Sequence, residues 1–327
     1  MALKFHWVTL VFIYLVVIAG SIVRMTGSGM GCPDWPKCFD QYIPPTSALD
    51  LPENYQDYYS SKREQKIIKF ASFLRTIGLK NKAEILEKDK SLLNEQPFNV
   101  WNTWTEYINR LIGAIAGLFI LGGLIISFFA KIQKAKKVFL CMLLLLLTFF
   151  QAWWGAMVVA TNIVPWVLTV HMVIAALMIG LQLLIIQQWT AQKNKIPQAI
   201  RRIAFLGIFI LIIQIIIGTQ VRQHVDDWLS FNSRNSIDLT TFTDFISHRT
   251  VALVLIIYVL ILTFMNYLKK VHSKTIYIIF TLVFFEAITG KILADFNLPL
   301  LLQPLHLLFS MLLFGLLTRL IVNTSKI

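Results

Sequence analysis

The stretch FFQAWWGAMVVATNIVPWVLTVH, residues 149–171, returns later in the chain as FFEAITGKILADFNLPLLLQPLH, residues 284–306. Each copy opens on FF, reaches a glycine at its seventh residue and ends on a histidine 16 residues after that glycine. Two more pairs precede them. GSIVR at 20–24 is answered by GTQVR at 218–222, and INR at 108–110 by SHR at 247–249. The offset is 198 residues at the first motif, 139 at the second and 135 over the long stretch. The large drop, from 198 to 139, places one insertion in the first half, a loop spanning about 28–105. Motifs recurring in order divide the chain into halves, 1–190 and 191–327.

Composition says where the halves sit. Hydrophobic residues make up 57% of the 327, charged residues only 14%, and mean hydropathy is +0.67. No soluble core of this size hides so much apolar surface. Eight apolar stretches are long enough to cross a bilayer: 5–25, 107–129, 138–160, 166–189, 203–222, 246–267, 275–294 and 302–322. Four spans per half make both halves enter from the same side. The expected fold is therefore all-α and integral to the membrane, as two four-helix bundles related by a pseudo-two-fold axis along the membrane normal. The first span reads as a retained helix, since no small-residue cleavage site precedes GSGMGC.

Cations in the short loops set the orientation. Lys131, Lys134, Lys136 and Lys137 follow span two; Lys193, Lys195, Arg201 and Arg202 follow span four; Lys269, Lys270 and Lys274 follow span six. Both termini are expected on the cytoplasmic side of the cell's inner (plasma) membrane. The net charge of +13 is mostly this signal, so lipid is the expected partner and nucleic acid is not. Cys32 and Cys38 fall in the first outer loop, on the oxidising side, where their spacing permits a disulfide ring; Cys141, within span three, reads as packing. The insertion carries amphipathic helical spacing and should lie over the outer face as a lid or docking surface, or as a decoration.

Six histidines remain to be placed. His6 and His272 read as solvated, and His224 as a surface residue opening an outer loop. His171, His248 and His306 all fall near the outer ends of even-numbered spans, in one layer. Ionisable groups inside a membrane helix are costly unless they are used. Two facing imidazoles walled by Leu, Ile, Val and Phe suit a haem with two axial histidines, and His248 with His306 form such a pair. Arg249 and Arg222 lie where propionates would emerge, with Arg110 and Arg24 repeating them in the first half; each could equally be an interfacial arginine reaching for water. In the first half the pair becomes Asn109 and His171, one imidazole facing an amide. Glu106 lies one turn before Asn109, either to handle protons or as a first-turn carboxylate favoured by the helix dipole. Glu286, aligned with Gln151, is a buried carboxyl that needs a partner.

GSIVRMTGSGMGCPDWPKC, the ExxxR corner at 106–110 and the histidine layer resemble the heme A synthase family over nearly the whole chain. The resemblance implies an oxidoreductase that converts the C8 methyl of haem O to a formyl group by successive hydroxylations, giving haem A for terminal oxidases. It implies haem b on His248 and His306, His171 in the substrate-haem pocket, Glu106 as that pocket's important carboxylate, and Cys32–Cys38 as the outer-loop pair. The farnesyl-adding haem O synthase and an electron donor become expected partners. Many relatives have histidine where this chain has Asn109, so substrate haem is expected to be held through His171, apolar walls and propionate contacts. The rival readings are a di-haem electron-transfer cytochrome, linked to quinol or ferredoxin, and a carrier.

Overall fold

The computed structural model describes residues 1–34, 37–190, 196–229 and 231–322. Trp35 and Pro36 of the loop motif, and Lys193 and Lys195 of the charge pattern, lie outside the described residues. Eight helices are long and apolar enough to cross a membrane: α1 (Ala2–Met25), α4 (Val100–Phe128), α5 (Lys134–Ala160), α6 (Pro165–Trp189), α7 (Gln198–Leu229), α8 (Thr243–Leu268), α9 (Lys274–Asp295) and α10 (Leu302–Val322). Two further helices, α2 (Tyr55–Thr76) and α3 (Lys80–Lys88), belong to the long loop. The chain is a multi-pass membrane protein.

Neighbouring helices close two rings. In the first half α1 packs on α4, α4 on α5, α5 on α6 and α6 back on α1; α7, α8, α9 and α10 do the same in the second. Across the halves α1 meets α10, α6 meets α7, and α6 meets α10. Exchanging the halves leaves this pattern unchanged, which is compatible with the two-fold relation. The turns agree. Asn162 and Ile163, joining α5 to α6, both have positive φ (50° and 60°), and so do Asn297 and Leu298 between α9 and α10 (54° and 56°). Such values are uncommon outside glycine, so their recurrence marks one turn used twice.

The core runs along the seam between the halves. Ile179, Ile185, Met311 and Leu317 from α6 and α10 are fully buried in it, with Leu211 of α7 and Leu262 of α8. Many large apolar side chains elsewhere point outward, including Leu118, Phe139, Phe149, Phe209 and Phe264. Hydrocarbon is the solvent such a surface requires.

Helix α7 runs 32 residues, several turns beyond the expected span 203–222. At 1.5 Å per residue that is about 48 Å, against roughly 30 Å of hydrocarbon. The helix continues past its last apolar run because Val225 is buried and Leu229 packs beside it, both against Leu239, Leu293 and Leu298. His224 therefore belongs to this helix and not to a loop; it is exposed and sits 3.1 Å from Asp244. His6 needs the larger correction. It is 1% exposed, wedged against Gly123 and tilted against the Trp189 ring, with its carbonyl accepting from Gln182 at 2.6 Å. Apolar helices pack around the chain start closely enough to shut it from water.

The long loop forms its own cap. Phe70 of α2 packs edge-on to Trp153 and Trp154 of α5, fixing the cap to the first half. A buried pair, Arg63 with Glu95 at 2.8 Å, closes its interior. Burial pushes the Glu95 carboxyl above its usual range, with Arg63 opposing. Cys32 and Cys38 form a disulfide, Cα atoms 5.0 Å apart. Asp34 braces its ring by accepting from the amides of Phe39 and Asp40, both at positive φ. Gly31 lies flat on α4: a Cβ there would stand 2.6 Å from the Asn102 carbonyl and 2.7 Å from the Thr103 nitrogen. Backbone cannot yield as a side-chain tip can. Gly31→Ala should therefore cost about 1–3 kcal/mol in overpacking, seen as a lowered melting temperature in detergent. Gly113→Ala, where a Cβ meets nothing within 4 Å, should not. Equal melting of the two variants contradicts this packing.

Candidate functional site

Four positions recur near the starts of α4, α6, α8 and α10, all at the end of the bundle that carries the disulfide loop. Each faces a glycine on the preceding transmembrane helix. A Cβ on Gly155 would lie 3.2 Å from His171 Cε1, one on Gly218 3.1 Å from His248 Cε1, and one on Gly290 3.3 Å from His306 Cε1. At the fourth position Gly20 faces Asn109, its Cβ site 4.0 Å from Oδ1. Only glycine lets a ring press so closely on a neighbouring backbone. The repeated glycines of GSIVR, FFQAWWG, GTQVR and FFEAITG are thus the seats of the repeated side chains.

Within the second half the imidazoles of His248 and His306 converge, ring centres 6.4 Å apart and planes at 65°. A metal–imidazole bond of about 2 Å on each side, plus roughly 1 Å to each ring centre, puts two axial imidazoles about 6 Å apart. The pair is therefore spaced for one metal centre between them. His306 is further prepared. Thr289 donates its hydroxyl proton to the Phe285 carbonyl (2.9 Å), so toward Nδ1 of His306, 2.9 Å away, it accepts. That contact fixes the Nδ1–H tautomer and leaves Nε2 with a lone pair for a metal. Glu286 stands 3.5 Å from the same Nδ1. His248 is steadied by Gln214, whose amide donates to the His248 carbonyl (3.1 Å) and meets Nε2 at 3.2 Å. His248 Nε2 is the nitrogen that would be offered to a metal, with Gln214 then keeping its bond to the His248 carbonyl.

The first half keeps the glycine seats but differs in the polar groups around them. Trp154 stands where Thr289 does, and its indole donates to the Val167 carbonyl at 2.7 Å. His171 is held through its backbone by Gln151 (2.9 Å), while its Nδ1 is buried with no partner among the described residues. Asn109 Oδ1 is likewise buried without a partner among them. One imidazole and one amide cannot make a bis-histidine site.

Glu106 and Arg110 lie within a turn of Asn109 on α4 and clamp the disulfide loop. Glu106 is 2% exposed, accepts from the Cys32 amide at 2.9 Å and pairs with Arg110 one turn on. Arg110 also donates to the carbonyls of Asp34 and Cys32. Arg249, its counterpart, is exposed. Arg24 and Arg222 meet from opposite halves on one carboxylate, Asp226, at 2.9 and 2.6 Å; Arg222 also donates to Gln303 at 2.6 Å. Beneath them Thr169 and Thr219 hydrogen-bond across the halves at 2.7 Å. Asp226, Thr289 and Gln214 were not picked out from sequence. For Asp226 a signal existed, its position one turn after Arg222 in VRQHVDD.

Fold and site define a class: a polytopic helical membrane protein with a layer of imidazoles, paired in one half and single in the other, beneath a disulfide-braced cap. Residues 4–318 match the family described as cytochrome oxidase assembly protein, and the chain belongs to that family. Three relatives carry the name heme A synthase. That of Shewanella oneidensis is 27% identical over 64% of this chain and 54% of its own length. That of Flavobacterium johnsoniae is 22% identical over 97% and 95%, and that of Rickettsia africae 23% over 95% and 94%. Against the first of these, the match spans about half of the relative's length.

Proposed function

We propose that the chain is a heme A synthase, oxidising the C8 methyl of haem O to a formyl group for a terminal oxidase. The second half, 191–327, holds haem b between His248 and His306; the first half, 1–190, holds haem O as substrate. The observation that carries this reading is the inequality of two matched sets of glycine-seated positions, His248 with His306 in one half and Asn109 with His171 in the other. The family membership and the names of the relatives support the reaction.

Haem b, when bound, supplies an iron that passes single electrons. The chain's own residues do the rest. Thr289 and Gln214 position the two imidazoles, of His306 and His248, that would hold the haem b iron. In the first half His171 anchors the substrate on one side. Asn109 leaves the other side without a strong ligand, as oxygen chemistry needs. Arg222 and Arg24, released in part from Asp226, would meet propionates, and Arg249 stands exposed for the same use. Glu106 shuts the pocket behind the loop and is placed to hold or pass a proton near Asn109. Electrons would come from a separate donor, and the farnesyl-adding synthase is the expected source of haem O. In the cell the protein lies in the inner membrane with both termini in the cytoplasm.

Asn109→His tests the division of labour. The variant should give the substrate haem a second imidazole, converting its absorption spectrum to six-coordinate low-spin form while activity falls at least tenfold. An unchanged substrate-haem spectrum, or a bis-histidine spectrum from both halves of the unaltered protein, overturns it.

A further inference from the structure

At the loop end the halves are tied by Asp226. At the opposite end, which carries the chain start, no ion pair joins them among the described residues. Instead a cleft opens between α1, α6 and α10. Its floor is apolar, from Leu3, Leu183 and Ile186, and Trp7 forms one wall. Arg319, in the last turn of α10, holds its guanidinium over the Trp7 ring at 5.6 Å. Every Asp and Glu of the chain is among the described residues, and none pairs with Arg319. Gln187 also lines the cleft, with its amide Nε2 buried and lacking a hydrogen-bond partner among the described residues. At the same end Lys137 is 6% exposed, its ammonium 3.9 Å over the Trp189 ring and without a carboxylate partner among the described residues.

The cleft thus offers a planar cation and an amide donor, with no acidic side chain paired to the cation among the described residues, above apolar walls. A guanidinium and an amide N–H lining one cleft from two helices match phosphate oxygens. The level is right as well: Arg319 sits in the last turn of α10, Leu3 in the first turn of α1 and Trp7 in its second, where headgroups lie. A soluble anion would leave the apolar floor wet; an amphiphile covers it.

We propose that this cleft binds an anionic phospholipid, its phosphate on Arg319 and Gln187 and an acyl chain along Leu3, Leu183 and Ile186. The lipid ties α1 and α6 of the first half to α10 of the second, doing at this end what Asp226 does at the other. The site is independent of the haem chemistry.

Native mass spectrometry of the full-length, haem-loaded protein tests it, after exchange into phosphatidylglycerol, phosphatidylethanolamine with the same acyl chains, or lipid-free detergent with inorganic phosphate. Phosphatidylglycerol should be retained above phosphatidylethanolamine and should raise the melting temperature. Arg319→Gln, which keeps most of the stem, should cut phosphatidylglycerol retention about fivefold, as one interfacial cation is worth, and abolish the thermal gain. Gln187→Leu should give a smaller drop. Lys136→Ala, an exposed cation at the same end, should leave retention unchanged. Equal retention of the two lipids, full retention by Arg319→Gln, or capture of inorganic phosphate alone each overturns the proposal.

Discussion

His306→Ala is expected to empty the second half of its haem and reduce haem O oxidation to background, with the helices intact. The side chain is pressed on Gly290, its Nδ1 is held by Thr289, and its ring faces His248. Removing it leaves one imidazole where two were spaced for a shared metal. The readouts are the haem content of the purified protein and its absorption spectrum, beside far-UV circular dichroism as a check on folding. Thr289→Val refines the result. Valine keeps the volume but not the acceptor, so the ring loses its fixed tautomer, and haem affinity should fall about 10- to 100-fold. A His306→Ala protein that keeps a full complement of six-coordinate haem would remove this residue from the site.

Glu106→Ala is expected to destabilise the protein by about 3–5 kcal/mol, the usual result of stripping one partner from a buried ion pair. Arg110 would be left largely buried, and the Cys32 amide would lose its acceptor. Glu106→Gln keeps that acceptor and the side-chain shape, so its melting temperature should fall much less. The pair of variants separates two roles for one carboxylate. If Glu106 moves a proton as well as bracing the loop, Glu106→Gln loses activity while its substrate-haem spectrum and melting curve stay near those of the parent. Parental activity in Glu106→Gln would confine the residue to the brace.

Much of the architecture could be read directly. Eight runs of apolar residues, each able to cross hydrocarbon, leave little choice of fold, and the spacing of FFQAWWG from His171 and FFEAITG from His306 exposed the repeat. Pairing of His248 with His306 followed from their shared depth. What escaped were arrangements that depend on neighbours far away in sequence. Helix α7 outruns its hydropathy because Val225 and Leu229 pack on residues some seventy positions later. His6 looked like a solvated residue near the chain start, yet Gly123 and Trp189 bury it. Arg24 and Arg222 were legible as equivalent, but not that both would reach one carboxylate, since Asp226 has no matching acid in the first half. The glycines of the repeat were visible as motif letters; their role as seats for the histidines needed coordinates.

The central claim is that this chain turns haem O into haem A. The direct measurement is chromatography of the haems extracted from a host that makes haem O but no haem A, with and without expression of this protein. Haem A, or its hydroxylated precursor, appearing only with the intact protein is the predicted result. Haem b bound to folded protein while haem O stays unmodified would contradict it and leave an electron-transfer cytochrome.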